Sequence, residues 1–128
     1  MMDRYYFGKK LQWWAREHSY LSANITGGER VLDIPLPEQY GDWAVHPCVR
    51  RIEGGLGGHE WWLALSPYPD FDSTRESILL YRGDANGDVP PTGWVFVREI
   101  CGRHAQGFNS DPNLYWDGRE LWVVWREC

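Results

Sequence analysis

The stretch from Trp43 to Arg82, WAVHPCVRRIEGGLGGHEWWLALSPYPDFDSTRESILLYR, decides the reading of the fold. It alternates apolar and polar residues in short runs broken by glycine and proline, the pattern of successive antiparallel strands. Strands are predicted over residues 46–52, 60–66 and 76–82, and WVFVREI adds a fourth over 93–99. EGGLGGH joins the first two as a flexible glycine hairpin, and Asn86-Gly87 is read as a turn before the fourth.

The same pattern returns downstream in shorter form. Setting HPCV at His46 against DPNL at Asp111 aligns two units at a spacing of 111 − 46, or 65 residues. In the second unit, Asp117-Gly118 is a hairpin signal between NLYW and RELWVVWRE, so two further strands are expected. A repeat of this length holding about four strands is the size of one β-propeller blade. The expected fold class is therefore all-β, with one complete four-stranded blade-like unit and part of a second over residues 29–128.

Upstream, ERVLDIPL over residues 29–36 reads as a short edge strand stopped by Pro35 and Pro37, because proline cannot donate to a ladder. Residues 1–28 differ in character, and LQWWAREH within them fits a short amphipathic helix or an aromatic arm.

Composition narrows the function classes. At 128 residues the chain suits one domain with a real core. A net charge of −5 with dispersed arginines argues against nucleic acid or an anionic membrane as partner. Three cysteines without C-x-x-C spacing build neither a disulfide framework nor a zinc site, and point to a reducing compartment. With no run of 18 apolar residues and no signal-like N-terminus, a cytoplasmic or virion-associated location is expected. No cofactor is expected: the order D-A-N-G-D from Asp84 lacks the spacing of a calcium loop, and His46 and His104 have no partner at metal-ligand spacing. Cys48 follows His46 by two residues and shares its face on a strand, but no orienting acid accompanies the pair.

Aromatic residues make up 16% of the chain, including nine tryptophans, which serve either a β core or the stacking faces of a sugar site. The loop SPYPDFDST suits either sugar recognition or the plain Pro-rich closure of a hairpin. Pro67 and Pro69 preset the backbone around Tyr68, and Asp70 and Asp72 set carboxylates beside Phe71.

The series HP-x-V, glycine turn, WWLALSPYP, ILL strand, polar turn before GW, and FNSDPNL-x-x-DG-x-LW-x-x-WRE resembles the five-bladed β-propeller glycoside hydrolases and their bacterial and phage relatives, over roughly residues 40–127. The resemblance implies a central pocket in which acidic residues from different blades act on a glycosidic bond. On it, Asp111 matches the blade-opening aspartate, a position held in the first unit by His46. Glu76, in STRES, stands near the third-strand acid of that family, and Asp42 precedes the first unit. The candidate catalytic carboxyls are Asp111, Glu76 and Asp42, with a turn-capping role the alternative for Asp111 and a turn role for Asp42; the candidate ligand-binding residues are His46, Trp62, Tyr68, Trp116 and Asn109. Because neighbours on a strand alternate faces, only one of Trp61 and Trp62 can meet a ligand. Five such units need about 325 residues by the repeat period, so assembly into a homo-oligomer or larger particle is expected, with an oligosaccharide or glycan as ligand. The alternative is a structural subunit, such as a phage virion component, that oligomerises through its β surfaces.

Overall fold

The computed structural model of the chain describes residues 34–128, which belong to one compact unit, Leu32–Cys128. The helix or arm expected over residues 1–28, and the first part of the strand expected over 29–36, lie outside the described residues.

Among the described residues, six antiparallel strands form two sheets. Strands β1 (Ala44–Leu56), β2 (His59–Pro67), β3 (Ile78–Gly83) and β4 (Trp94–Cys101) pair in sequence order, and β5 (Asn109–Trp116) with β6 (Leu121–Glu127) makes a separate hairpin. The fold is all-β as expected: the only helical elements among the described residues are three 3-10 turns, at Glu38–Tyr40, Pro69–Phe71 and Ser73–Arg75. No helix among them is long and apolar enough to cross a membrane.

The four-stranded sheet is covered on both faces, which explains why WWLALSP on β2 shows no alternation of burial. Trp61, Leu63 and Leu65 point to one side, where they meet Leu79, Tyr81 and Trp94. Trp62 and Ala64 point to the other, with Ile52, Leu80 and Leu114. Burying each large side chain contributes roughly 1.5–3 kcal/mol, so both clusters are needed to hold so small a domain.

Different parts of the chain supply the two covers. Ile34, Leu36 and Tyr40 pack on the first face, and the Tyr81 hydroxyl donates to Pro35 O at 3.2 Å. Residues 34–37 form no strand, in contrast to the edge strand read there; neither Pro35 nor Pro37 has an N–H to give a ladder. Burial pushes the Tyr81 phenol up to about 12. On the second face Leu114, Trp116, Leu121 and Val123 from the β5–β6 hairpin close the core.

Glycine turns shape the far end of the sheet. The β1–β2 turn is the two-residue pair Gly57-Gly58, both in the left-handed region (φ 60° and 86°), so β1 runs four residues beyond the predicted end. Residues 84–93, longer than the tight turn read at Asn86-Gly87, fold back onto this hairpin. Asn86 accepts from Glu60 N (2.9 Å) and donates to Gly58 O (3.0 Å), while Trp61 Nε1 donates to Gly87 O (2.8 Å). Arg51 spans Asp88 and Glu60, at 2.5 and 3.3 Å. The Gly87 N–H first, and then Arg51, hold the Glu60 carboxyl below the usual carboxylate range.

Candidate functional site

The site is built from a defect that occurs twice. On β1 the pairing jumps from Val45–Ser66 to Cys48–Ala64, and on β5 from Ser110–Arg126 to Asn113–Val124. In each case two residues, His46-Pro47 or Asp111-Pro112, bulge opposite one. His46 and Asp111 lie in the left-handed region, at φ 53° and 55°. Glycine is the usual occupant of such a bulge, and a residue before proline is ordinarily pushed to extended backbone. Each position therefore stores roughly 1–3 kcal/mol of strain.

The bulges aim the two side chains at each other. His46 Nδ1 lies 2.5 Å from Asp111 Oδ1, and Arg126 reaches Asp111 Oδ2 at 2.8 Å. Arg126 also donates to Ser110 Oγ at 3.3 Å and lies 5.8 Å from the Phe108 ring centre. Asp111 and Arg126 stay about two-fifths exposed, so the cluster is open to solvent.

At the same end of the sheet, where β1 begins and β2 finishes, stands an aromatic group. Trp43, just ahead of β1, and Phe71, in the β2–β3 connection, are 56% and 61% exposed, with ring centres 5.1 Å apart. Tyr68 meets Phe71 edge-on at 6.1 Å and its N–H donates to Trp43 O at 2.7 Å. Asp70 and Phe71 are again left-handed, at φ 55° and 59°, a conformation disfavoured for so bulky a residue as Phe. Arg75 pairs with Asp70. Asp72 accepts from the Thr74 hydroxyl and N–H at 2.7 and 3.0 Å, contacts that hold its carboxyl low.

All four non-glycine left-handed residues among the described residues thus lie at one end of the sheets. The buried polar residues Ser66, Glu76, Ser77, Asn109 and Ser110 gather at the same end, where β2 finishes and β3 and β5 begin. Backbone strain and buried polarity both cost stability, and both cluster at sites of recognition or chemistry.

Of the residues expected to act, the structure brings His46 and Asp111 into contact and sets Tyr68 at the same end. Asp42 is exposed in the bend before β1, and Glu76 is 2% exposed, two residues before β3. Asn109 is a structural tie, its Nδ2 donating to Gly102 O at 2.7 Å and lying 3.2 Å from Cys101 Sγ. Trp62 is buried in the second core with Nε1 on His59 O at 3.1 Å, and Trp116, at the far end of β5, packs on the same core. Trp61 is equally buried, so neither neighbour is left over for a ligand. Cys48 is tied to Asn113 and Leu114 rather than arranged as a nucleophile.

Comparison with protein-family models, curated proteins and solved structures finds no match to this chain. The geometry alone carries the functional argument. Among the described residues no group of three or more His, Cys, Asp and Glu side chains is placed to hold a metal ion. Sequence reading missed Trp43, Phe71 as an exposed face, and Arg126. The X-Pro pair repeated at 46 and 111 was the available signal for the bulges; nothing local marks Arg126, which reaches the site only through its pairing opposite Ser110.

Proposed function

We propose that the chain is a carbohydrate-recognising module built from two propeller-blade-like units, binding its glycan at the end that carries His46 and Asp111. The observation that carries this reading is that exposed Trp43 and Phe71 and the His46–Asp111–Arg126 cluster share one end of the sheets, the end where every described left-handed non-glycine residue lies. Aromatic faces stack on the apolar faces of sugar rings, and fixed carboxylate and guanidinium groups select hydroxyl positions around them.

Recognition is favoured over hydrolysis. Glycoside hydrolysis needs two carboxyl groups flanking one bond, with one held protonated. Asp111 has an oxygen on His46 and the other on Arg126, contacts that suit a fixed acceptor, and Glu76 is closed off from solvent.

A glycan array probed with the full chain tests the reading, followed by titration of any bound oligosaccharide against Trp43→Ala and Phe71→Ala. Both substitutions are expected to weaken binding at least tenfold while the near-ultraviolet circular dichroism of the core is retained. An array without hits, or hits indifferent to both substitutions, would sink it.

A further inference from the structure

We propose that β6 is a docking edge that pairs, antiparallel, with β6 of a second copy of this chain. A sheet edge exposes unpaired N–H and C=O groups, and proteins guard such edges with bulges, prolines and charges. The described residues leave four edges, on β1, β4, β5 and β6. Three are guarded.

β1 carries the His46-Pro47 bulge, a second irregularity at Gly54-Gly55, and Arg50 and Arg51. β4 is irregular twice, with Val97 and Ile100 as extra residues opposite β3, and bears Arg98 and Glu99. β5 carries the Asp111-Pro112 bulge.

β6 has neither proline nor bulge, and its two charges, Arg126 and Glu127, stand together at its C-terminal end. Its seven residues, LWVVWRE, contain no proline, and its pairing to β5 runs without a break from Leu121 to Val124. Its first charged residue is Arg126. Trp122, Val124 and Trp125 are 51%, 52% and 38% exposed, an apolar run on an open edge.

The strand is also complementary to itself. Antiparallel pairing about a two-fold axis at Val124 sets Val124 against Val124, Val123 against Trp125, and Trp122 against Arg126 of the second copy. Leu121 then faces Glu127, so no like charges stand opposite. β-branched and aromatic pairs are the favourable cross-strand combinations, and Val124–Val124 and Val123–Trp125 are of that kind. The product is one continuous four-stranded sheet, β5–β6–β6–β5, closed by an isologous contact. A head-to-tail stack that buries the first core face of a copy is obstructed, since Ile34, Leu36 and Tyr40 already cover that face.

Sedimentation equilibrium on the full chain, with Val124→Lys and Val124→Glu variants, tests the proposal. The half-exposed position lets either variant keep the fold, and circular dichroism checks this. The wild-type chain is expected to dimerise; each variant alone, with like charges meeting on the axis, is expected to be monomeric; and an equimolar mixture of the two is expected to regain the dimer. A wild-type monomer at all attainable concentrations, or a dimer that persists in both variants, would overturn it.

Discussion

Cys48 and Asn113 occupy equivalent positions in the two units, 65 residues apart, and their side chains meet, the thiol donating to Asn113 Oδ1 at 3.3 Å. The Leu114 N–H in turn donates to the same sulfur at 3.3 Å. Together with His46 and Asp111, two repeat-related pairs join β1 to β5 side by side. Replacing Cys48 by valine keeps the volume but orphans the N–H of Leu114, a residue 4% exposed. A loss of about 1–3 kcal/mol is expected, whereas serine, which keeps an acceptor, costs less; urea denaturation of the two variants checks the order.

The cysteines themselves differ in reactivity. Burial first, and then Glu127 and Glu99, push the Cys101 thiol up, so little thiolate forms there at pH 8, while Cys128 is exposed. Iodoacetamide at that pH is expected to label Cys128 about tenfold faster than Cys101, read by peptide mass spectrometry. Equal rates would contradict the partial burial of Cys101.

Phe71 sets stability against binding. Its left-handed backbone costs roughly 1–3 kcal/mol, against about 0.5–1.5 kcal/mol from its ring contacts with Trp43 and Tyr68. Phe71→Gly is therefore expected to leave stability unchanged or raise it by about 1 kcal/mol, while glycan binding falls. A clear destabilisation in urea would mean that Phe71 serves the fold instead.

Gly83 is fixed by space alone. A Cβ there would lie 2.5 Å from Pro91 Cγ and 3.0 Å from Trp61 Cβ. Gly83→Ala forces the 84–93 segment away from β2 and is expected to cost about 1–3 kcal/mol by urea denaturation. Gly54→Ala meets no atom within 4 Å, so its cost reflects only its left-handed backbone.

Among the described residues three carboxylates are held low, and acid stability follows from them. Glu60 is stabilised by the Gly87 N–H, Asp72 by the Thr74 hydroxyl, and Asp117 by the Glu120 N–H and Trp122 Nε1. Because folding depresses these pKa values, their contribution is complete above the unfolded values, near pH 4. It is lost as pH falls through the lower folded values. The melting temperature is expected to be level above about pH 5 and to drop below pH 4, with a shallower drop in Asp117→Ala.

Local chemistry made much of the fold legible. Strand alternation, the Gly57-Gly58 and Asp117-Gly118 turns, and the 65-residue spacing are short-range signals, and the strands lie within a few residues of their predicted bounds. The repeat proved more regular in space than in letters: β1 and β5 begin at residues 44 and 109, and their bulges coincide under the same shift. The fate of Trp61 and Trp62 was not legible, because period-2 alternation tells which residues share a face and not which faces become covered.

The sequence by itself determined the antiparallel strands, their turns and the two X-Pro positions, since backbone sterics and alternation act between near neighbours. Only the tertiary structure decided which side chains became a site. Packing β5 beside β1 turned His46 toward Asp111, pairing β6 to β5 delivered Arg126, and covering both faces of the first sheet consumed Trp61 and Trp62. These outcomes depend on contacts between residues far apart in the chain, where the burial of the whole sheet, rather than any local preference, sets which neighbours meet.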